Sequence, residues 1–243
     1  ANLTPTSNIA DTSAIVVDTT KPTLVSVVVA GDNATATLNF DEAVYAADDG
    51  TGDIVKADID VSLSGGTATL SDYTITHTAG NTSLEIGLTL SGTPDGSELL
   101  TVSPNGVAAV YDLAGNAMED AQEQTDYLED ETAPTVAVTS TTGDDSYRAG
   151  EDINVTLTFS ENVTSSDNLT VTLDTTGTCS VTALTDTDTG SCTYTIQAGH
   201  TSSDLTVSSI VVDNTGTIQD GSGNDANLTP TSNIADTSAI VVD

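Results

Sequence analysis

With 243 residues the chain could form one large sandwich or two ordinary domains. Three basic residues (Lys21, Lys56 and Arg148) face 37 Asp and Glu, for a formal charge of −34. Such a surface repels nucleic acid and anionic membrane and attracts divalent cations, unless it is a halophile-like acidic coat that binds no particular ion. No apolar run approaches the ~20 residues of a membrane helix. The opening ANLTPTSNIADTSAIVVD has neither a basic region nor an apolar core, so targeting information is expected outside this sequence.

Short strands with alternating apolar residues are predicted along the chain, the period expected when one face packs on a core. In order they are Leu38/Phe40, Ile59/Val61/Leu63, Leu84/Ile86/Leu88/Leu90 and Leu100/Val102, then Val136/Val138, Ile153/Val155/Leu157/Phe159 and Leu169/Val171/Leu173. Tyr194/Ile196, Leu205/Val207, Ile210/Val212 and Ile240/Val242 complete the series. Gly65-Gly66, Pro94-Asp95-Gly96, Asn105-Gly106 and Thr189-Gly190 punctuate the gaps, the spacing of an all-β sandwich. One stretch, AMEDAQEQTDYL at 117–128, is rich in Ala, Glu and Gln and is expected as a short helical turn.

Internal repetition sets the organisation. Residues 1–18 recur without a change as residues 226–243, an offset of 225. This predicts a window cut from an array of near-identical units, with a designed duplication as the alternative. A second repeat lies inside that unit. Asp-x-Thr-x-Pro occurs at Asp18, Thr20, Pro22 and 112 residues later at Asp130, Thr132, Pro134, and Asp243 follows Asp130 by 113. Leu-x-Phe-x-Glu-x-Val occurs at Leu38, Phe40, Glu42, Val44 and at Leu157, Phe159, Glu161, Val163. Asp-x-x-Gly-Asn occurs at Asp112, Gly115, Asn116 and at Asp220, Gly223, Asn224. The expected division is 1–18 as the last strand region of a preceding repeat, 19–130 as a first domain and 131–243 as a second.

At these residues the chain resembles the bacterial immunoglobulin-like repeats of giant secreted or cell-surface adhesin-type proteins. The wording of YRAGEDINVTLTFSENV (147–163), YTIQAGHTSSDLTVSSI (194–210) and DGSGNDANL (220–228) carries the resemblance. It implies two tandem immunoglobulin-like Greek-key β-sandwiches in an elongated extracellular array, partnered by neighbouring repeats of the same protein. The first half departs from the pattern through an acidic insert, YAADDGTGDIVKADI (45–59).

Calcium takes six to eight oxygens from carboxylates, carbonyls and water, which loops at a domain junction can supply. The resemblance implies calcium at or near the junctions, held by Asp18, Glu42, Asp112 and Asn116 and by the corresponding Asp130, Glu161, Asp220 and Asn224. Asp48, Asp49 and Asp53 beside Gly50 and Gly52 form a further calcium-like stretch. Asp186 and Asp188 read more simply as a hairpin turn.

Cys179 and Cys192 flank that turn with an even number of residues between them, so a hairpin could set them opposite one another as a cross-strand disulfide. Reduced core thiols are the alternative. The Asn-x-Ser/Thr sequons at Asn2, Asn33, Asn81, Asn154, Asn162, Asn168 and Asn227 are expected on the surface. His77 and His200 are expected as exposed strand-end residues, and neither a nucleophile with its base nor a phosphate loop is recognisable.

Three functions follow. The first is a calcium-stiffened structural or adhesive stalk. The second is a filament subunit assembling by strand complementation, in which residues 13–18 pair where residues 238–243 do. The third is a sugar- or ice-binding module, disfavoured by six Tyr, two Phe and no Trp.

Overall fold

Period-two alternation becomes strand along most of the chain in the computed structural model, which describes residues 17–243. Residues 1–16, with most of the segment expected to end a preceding repeat and the sequon at Asn2, lie outside the described residues. The described residues are 48% strand and 3% helix, an all-β architecture. It divides into two compact units, one ending at Asp130 and one spanning Glu131–Asp243.

In the first unit, β1 (Leu24–Val29), β2 (Thr35–Phe40), β4 (Thr69–Thr76) and β5 (Ser83–Ser91) form an antiparallel sheet in the order β1-β2-β5-β4. β3 (Ile59–Ser64), β6 (Leu99–Pro104) and β7 (Gln124–Tyr127) form a second, in the order β3-β6-β7. Leu38, Phe40 and Ile86 from one sheet and Ile59, Leu100 and Val102 from the other share a single core. Each buries roughly 2 kcal/mol of transfer energy, so sheet-to-sheet burial holds this unit together.

The segment expected to be a helical turn contributes β7 instead. Met118 and Leu128 are drawn into the core at its two ends. Between them Gln122, Gln124 and Asp126 turn one face of an extended chain toward β1. Gln122 accepts from Leu24 N (2.7 Å) and Asp126 accepts from Val29 N (2.9 Å), while Gln124 donates to Leu24 O (3.4 Å). These side chains satisfy the open edge of β1, a tertiary role that outweighs helix propensity.

The second unit contains β8 (Thr135–Thr139), β9 (Asp145–Tyr147), β10 (Asp152–Ser165), β11 (Leu169–Leu173), β12 (Thr178–Val181), β13 (Thr187–Thr195) and β14 (Val207–Val212). β15 (Ile218–Gln219), β16 (Asn227–Pro230), the single turn α1 (Ile234–Thr237) and β17 (Ile240–Val242) follow. One sheet runs β13-β10-β8-β16, with β15 also paired to β10; a second runs β12-β11-β14; β17 pairs with β9. The fourth long strand therefore differs between units: β4 pairs with β5, whereas β12 pairs with β11 in the opposite sheet.

That difference corrects the hairpin expectation for the cysteines. Cys179 and Cys192 are disulfide-bonded, with Cα atoms 5.7 Å apart, but Cys179 faces Val171 across the β11–β12 ladder and Cys192 faces Val155 across the β10–β13 ladder. The bond joins the edge strands of two sheets. Nor is Gly190 a turn residue, because it pairs with Leu157 inside β13. A Cβ there would lie 2.7 Å from Val181 Cγ1, so the position tolerates no side chain where the sheets approach.

Candidate cation site

The Leu-x-Phe-x-Glu-x-Val motif carries core parity beyond the regular part of a strand. Leu38 and Phe40 point inward on β2, the strand ends, and Glu42 falls at the rim of the core before Val44 is buried again. Two further segments converge on Glu42. The chain before β1 is held by Thr23, whose N donates to Asp41 Oδ1 (2.6 Å) and whose O accepts from Asp41 N (3.1 Å). The loop after Val110 is closed by Asp112, which accepts from Asn116 N (2.8 Å) and Asn116 Nδ2 (2.6 Å). Asn116 Nδ2 also donates to Asp18 O (3.3 Å), fastening the incoming segment to the loop.

One carboxylate oxygen from each of Asp18, Glu42 and Asp112 lies within 4.8 Å of the others. Asp18 is exposed and accepts from Thr20 N (3.0 Å), whereas Asp112 is 0% exposed. Burial pushes the Glu42 carboxyl above its ordinary range, and repulsion from Asp112, Asp18 and Asp41 pushes it further. The donor set is all oxygen, with no His or Cys, which fits a hard cation such as calcium. A divalent ion would relieve the repulsion that raises Glu42.

The same motifs build a related arrangement in the second unit. Glu161 lies in the irregular stretch of β10 between Thr158 and Val163, where pairing with β13 shifts register. A carboxylate oxygen of Glu161 lies within 4.8 Å of one from Asp220. Asp220 Oδ1 accepts from the backbone N of Ser222 (2.8 Å), Gly223 (2.7 Å) and Asn224 (2.9 Å), and Oδ2 accepts from Asn224 Nδ2 (2.9 Å). Burial alone would raise the Asp220 carboxyl, but the bonds from Asn224, Gly223 and Ser222 outweigh it and hold the group below the ordinary range. Asp130 closes the first unit, where its backbone bridges Asp95.

Other expected ligands are placed elsewhere. Among the described residues, Asp48, Asp49 and Asp53 join no group of three acids with metal-binding spacing. Asp49 accepts from Thr51 Oγ1 inside the insert, and Asp53 accepts from Ala79 N (2.8 Å), tying the insert to the loop after β4. Asp186 adopts a left-handed φ of 46° ahead of β13 and accepts from Asn162 Nδ2 (3.1 Å).

Three polar groups differ from the sequence expectation. His77 is buried just beyond β4, and its Nδ1 accepts from Ile54 N (3.1 Å). His200 is half-buried, stacked on Tyr194 with Nδ1 2.6 Å from the Tyr194 hydroxyl. Asn33 is buried rather than on the surface, and its side chain pairs with both backbone groups of Glu129 at 2.8 Å.

Sequence reasoning passed over Glu98. It is 0% exposed and accepts from the backbone N of Thr67 (2.8 Å), Ala68 (2.7 Å) and Asp95 (3.0 Å). The signal was the Gly65-Gly66 pair: a Cβ on Gly66 would stand 2.1 Å from Glu98 Cδ. No protein-family model matches the chain, and no curated protein matches it.

Proposed function

We propose that the chain is a segment of an extracellular structural or adhesive stalk, built from tandem immunoglobulin-like sandwiches and stiffened by calcium. The observation that carries the calcium reading is the Asp18–Glu42–Asp112 group, to which each of the three recurring motifs contributes one acid. By the chain's own repeat, Asp130, Glu161 and Asp220 are the equivalent set. An ion held by Asp18, Glu42 and Asp112, with Asn116 beside them, would clamp the segment entering a unit to that unit's loops.

The strand orders favour the immunoglobulin-like assignment. In the first unit, β1-β2-β5-β4 over β3-β6-β7 corresponds to the ABED and CFG sheets of a constant-type domain. In the second, the fourth strand has crossed to the sheet of the third. The disulfide supports an oxidising compartment. Among the described residues no helix is long and apolar enough to cross a membrane.

Calcium titration followed by thermal unfolding tests this reading. Extracellular calcium modules bind at ~0.1–1 mM, so at 10 mM calcium the gain is ~1.4–2.7 kcal/mol per site, several degrees in Tm. Sodium chloride at equal ionic strength should give less. Glu42→Gln separates the effects. The folded pKa of Glu42 is raised, so its charged form costs stability once pH rises through the unfolded value and then the folded one. At pH 7 without calcium the variant should be more stable than wild type, and with calcium the order should reverse. Unchanged order with calcium would remove the ion from the mechanism.

A further inference from the structure

The turn after β6 holds the sole Asn-Gly step of the sequence, Asn105-Gly106. Pro104 ends the strand and is buried, whereas residues 105–108 are exposed. One side of Asn105 is anchored. Its backbone N donates to Asp58 O (2.8 Å) and its Nδ2 donates to Ala57 O (3.0 Å), so this residue fastens the last residues of the acidic insert to the end of β6. The other side is open: the Gly106 N–H donates no hydrogen bond among the described residues, and a Cβ on Gly106 would meet nothing within 4 Å. Gly106 takes a φ of +97°, a conformation that a residue without a Cβ adopts at no steric cost.

An asparagine followed by glycine is chemically labile, because the next backbone nitrogen can close a five-membered ring on Cγ and glycine puts no side chain in its way. The Gly106 nitrogen, its proton taken by hydroxide, bonds to Asn105 Cγ; the Cγ–Nδ2 bond breaks, and Nδ2 leaves as ammonia with a proton from water. Water then opens the cyclic imide. Cleavage between that nitrogen and Cγ gives aspartate, and cleavage between it and the main-chain carbonyl carbon gives isoaspartate. One water is consumed and one ammonia released. The Asp-Gly steps are poorer sites, since an ionised carboxylate resists attack and Asp49, Asp95 and Asp220 each accept hydrogen bonds within their own turns.

We propose that Asn105 is a site of spontaneous deamidation through the Gly106 nitrogen, and that the modified residue lets go of the insert at Ala57. An amide that donates to the Ala57 carbonyl is replaced by a carboxylate with no proton to give at neutral pH, so two oxygens face each other. Lys56 reports the change. Its side chain is half-exposed, ion-paired with Asp72 and seated over the Tyr73 ring, and the peptide bond from Lys56 to Ala57 is a trypsin site directly beside the lost contact. Neither calcium nor a role in a stalk is needed for this chemistry.

The test ages the full-length chain in mildly alkaline buffer and maps its peptides by mass spectrometry. Asn105 should lose its amide ahead of every other asparagine, and part of the product should be isoaspartate. Asn105→Gln should keep its amide, because ring closure on the longer side chain is slow. Limited trypsin digestion reads the consequence. Cleavage after Lys56 should be about fivefold faster in the aged chain and in Asn105→Asp than in fresh wild type, the factor by which loss of one hydrogen bond shifts a local opening equilibrium. Cleavage after Arg148, in the second unit, should not change. Asn105 changing no faster than the other asparagines overturns the proposal, as does a product free of isoaspartate, because the ring would not have formed. An Asn105→Asp chain cut after Lys56 at the fresh wild-type rate overturns the release of the insert.

Discussion

His77 shows how a single buried ring answers to pH. Because Nδ1 accepts the Ile54 amide, the neutral ring carries its proton on Nε2, which is buried and finds no hydrogen-bond partner among the described residues. A second proton would have to enter at Nδ1 and face the Ile54 N–H. Burial accordingly lowers the pKa of His77, against weaker raising influences from Asn81 and Asp53. The unfolded chain then binds more protons than the folded one just below the ordinary value of 6.5. Stability is lost as pH falls through 6.5 toward the folded pKa. Imidazole resonances followed by NMR should give His77 a midpoint below 6.5, and a midpoint at or above it would contradict the buried hydrogen-bonded ring.

Among elements, the turn between β3 and β4 depends on a side chain from a distant loop. Glu98→Ala would leave the amides of Thr67, Ala68 and Asp95 without an acceptor, at ~1 kcal/mol or more each. The first unit should lose about 3 kcal/mol in denaturant unfolding. Glu98→Gln keeps one carbonyl oxygen for Thr67 and Ala68 and should lose only ~1 kcal/mol. Equal losses would mean that volume, not hydrogen bonding, is what the site requires.

The strands that alternate, such as Ile153/Val155/Leu157/Phe159, were legible because one face of each is buried. β1 was not, since LVSVVV is apolar on both faces and shows no period. β7 was hidden by helix-forming composition, although Gln122, Gln124 and Asp126 do alternate. At the candidate site, the repeated motifs located Asp18, Glu42 and Asp112 because each occupies a fixed offset from a buried neighbour. Glu98 has no repeat and no motif of its own, and its role comes from its three amide partners and the Gly65-Gly66 turn that makes room for it. The sheet choice of β12 depends on partners far away in sequence, so the two cysteines were visible as a pair but not as a tie between sheets.

At the scale of the whole molecule, two cores of ordinary size carry a charge of −34, and their surfaces repel unless ions gather on them. A chain of this kind under tension would unfold by lengthening, and the bond between Cys179 and Cys192 limits by how much. Twelve residues lie between those cysteines, so the segment bypassed by the cross-link holds back about 4 nm of extended chain at ~3.4 Å per residue. In single-molecule pulling, reduction or Cys179→Ser should lengthen the unfolding step of the second unit by about that amount and leave the first unit's step unchanged. The inter-sheet tie is thus a reserve of contour length, released only when the surroundings turn reducing.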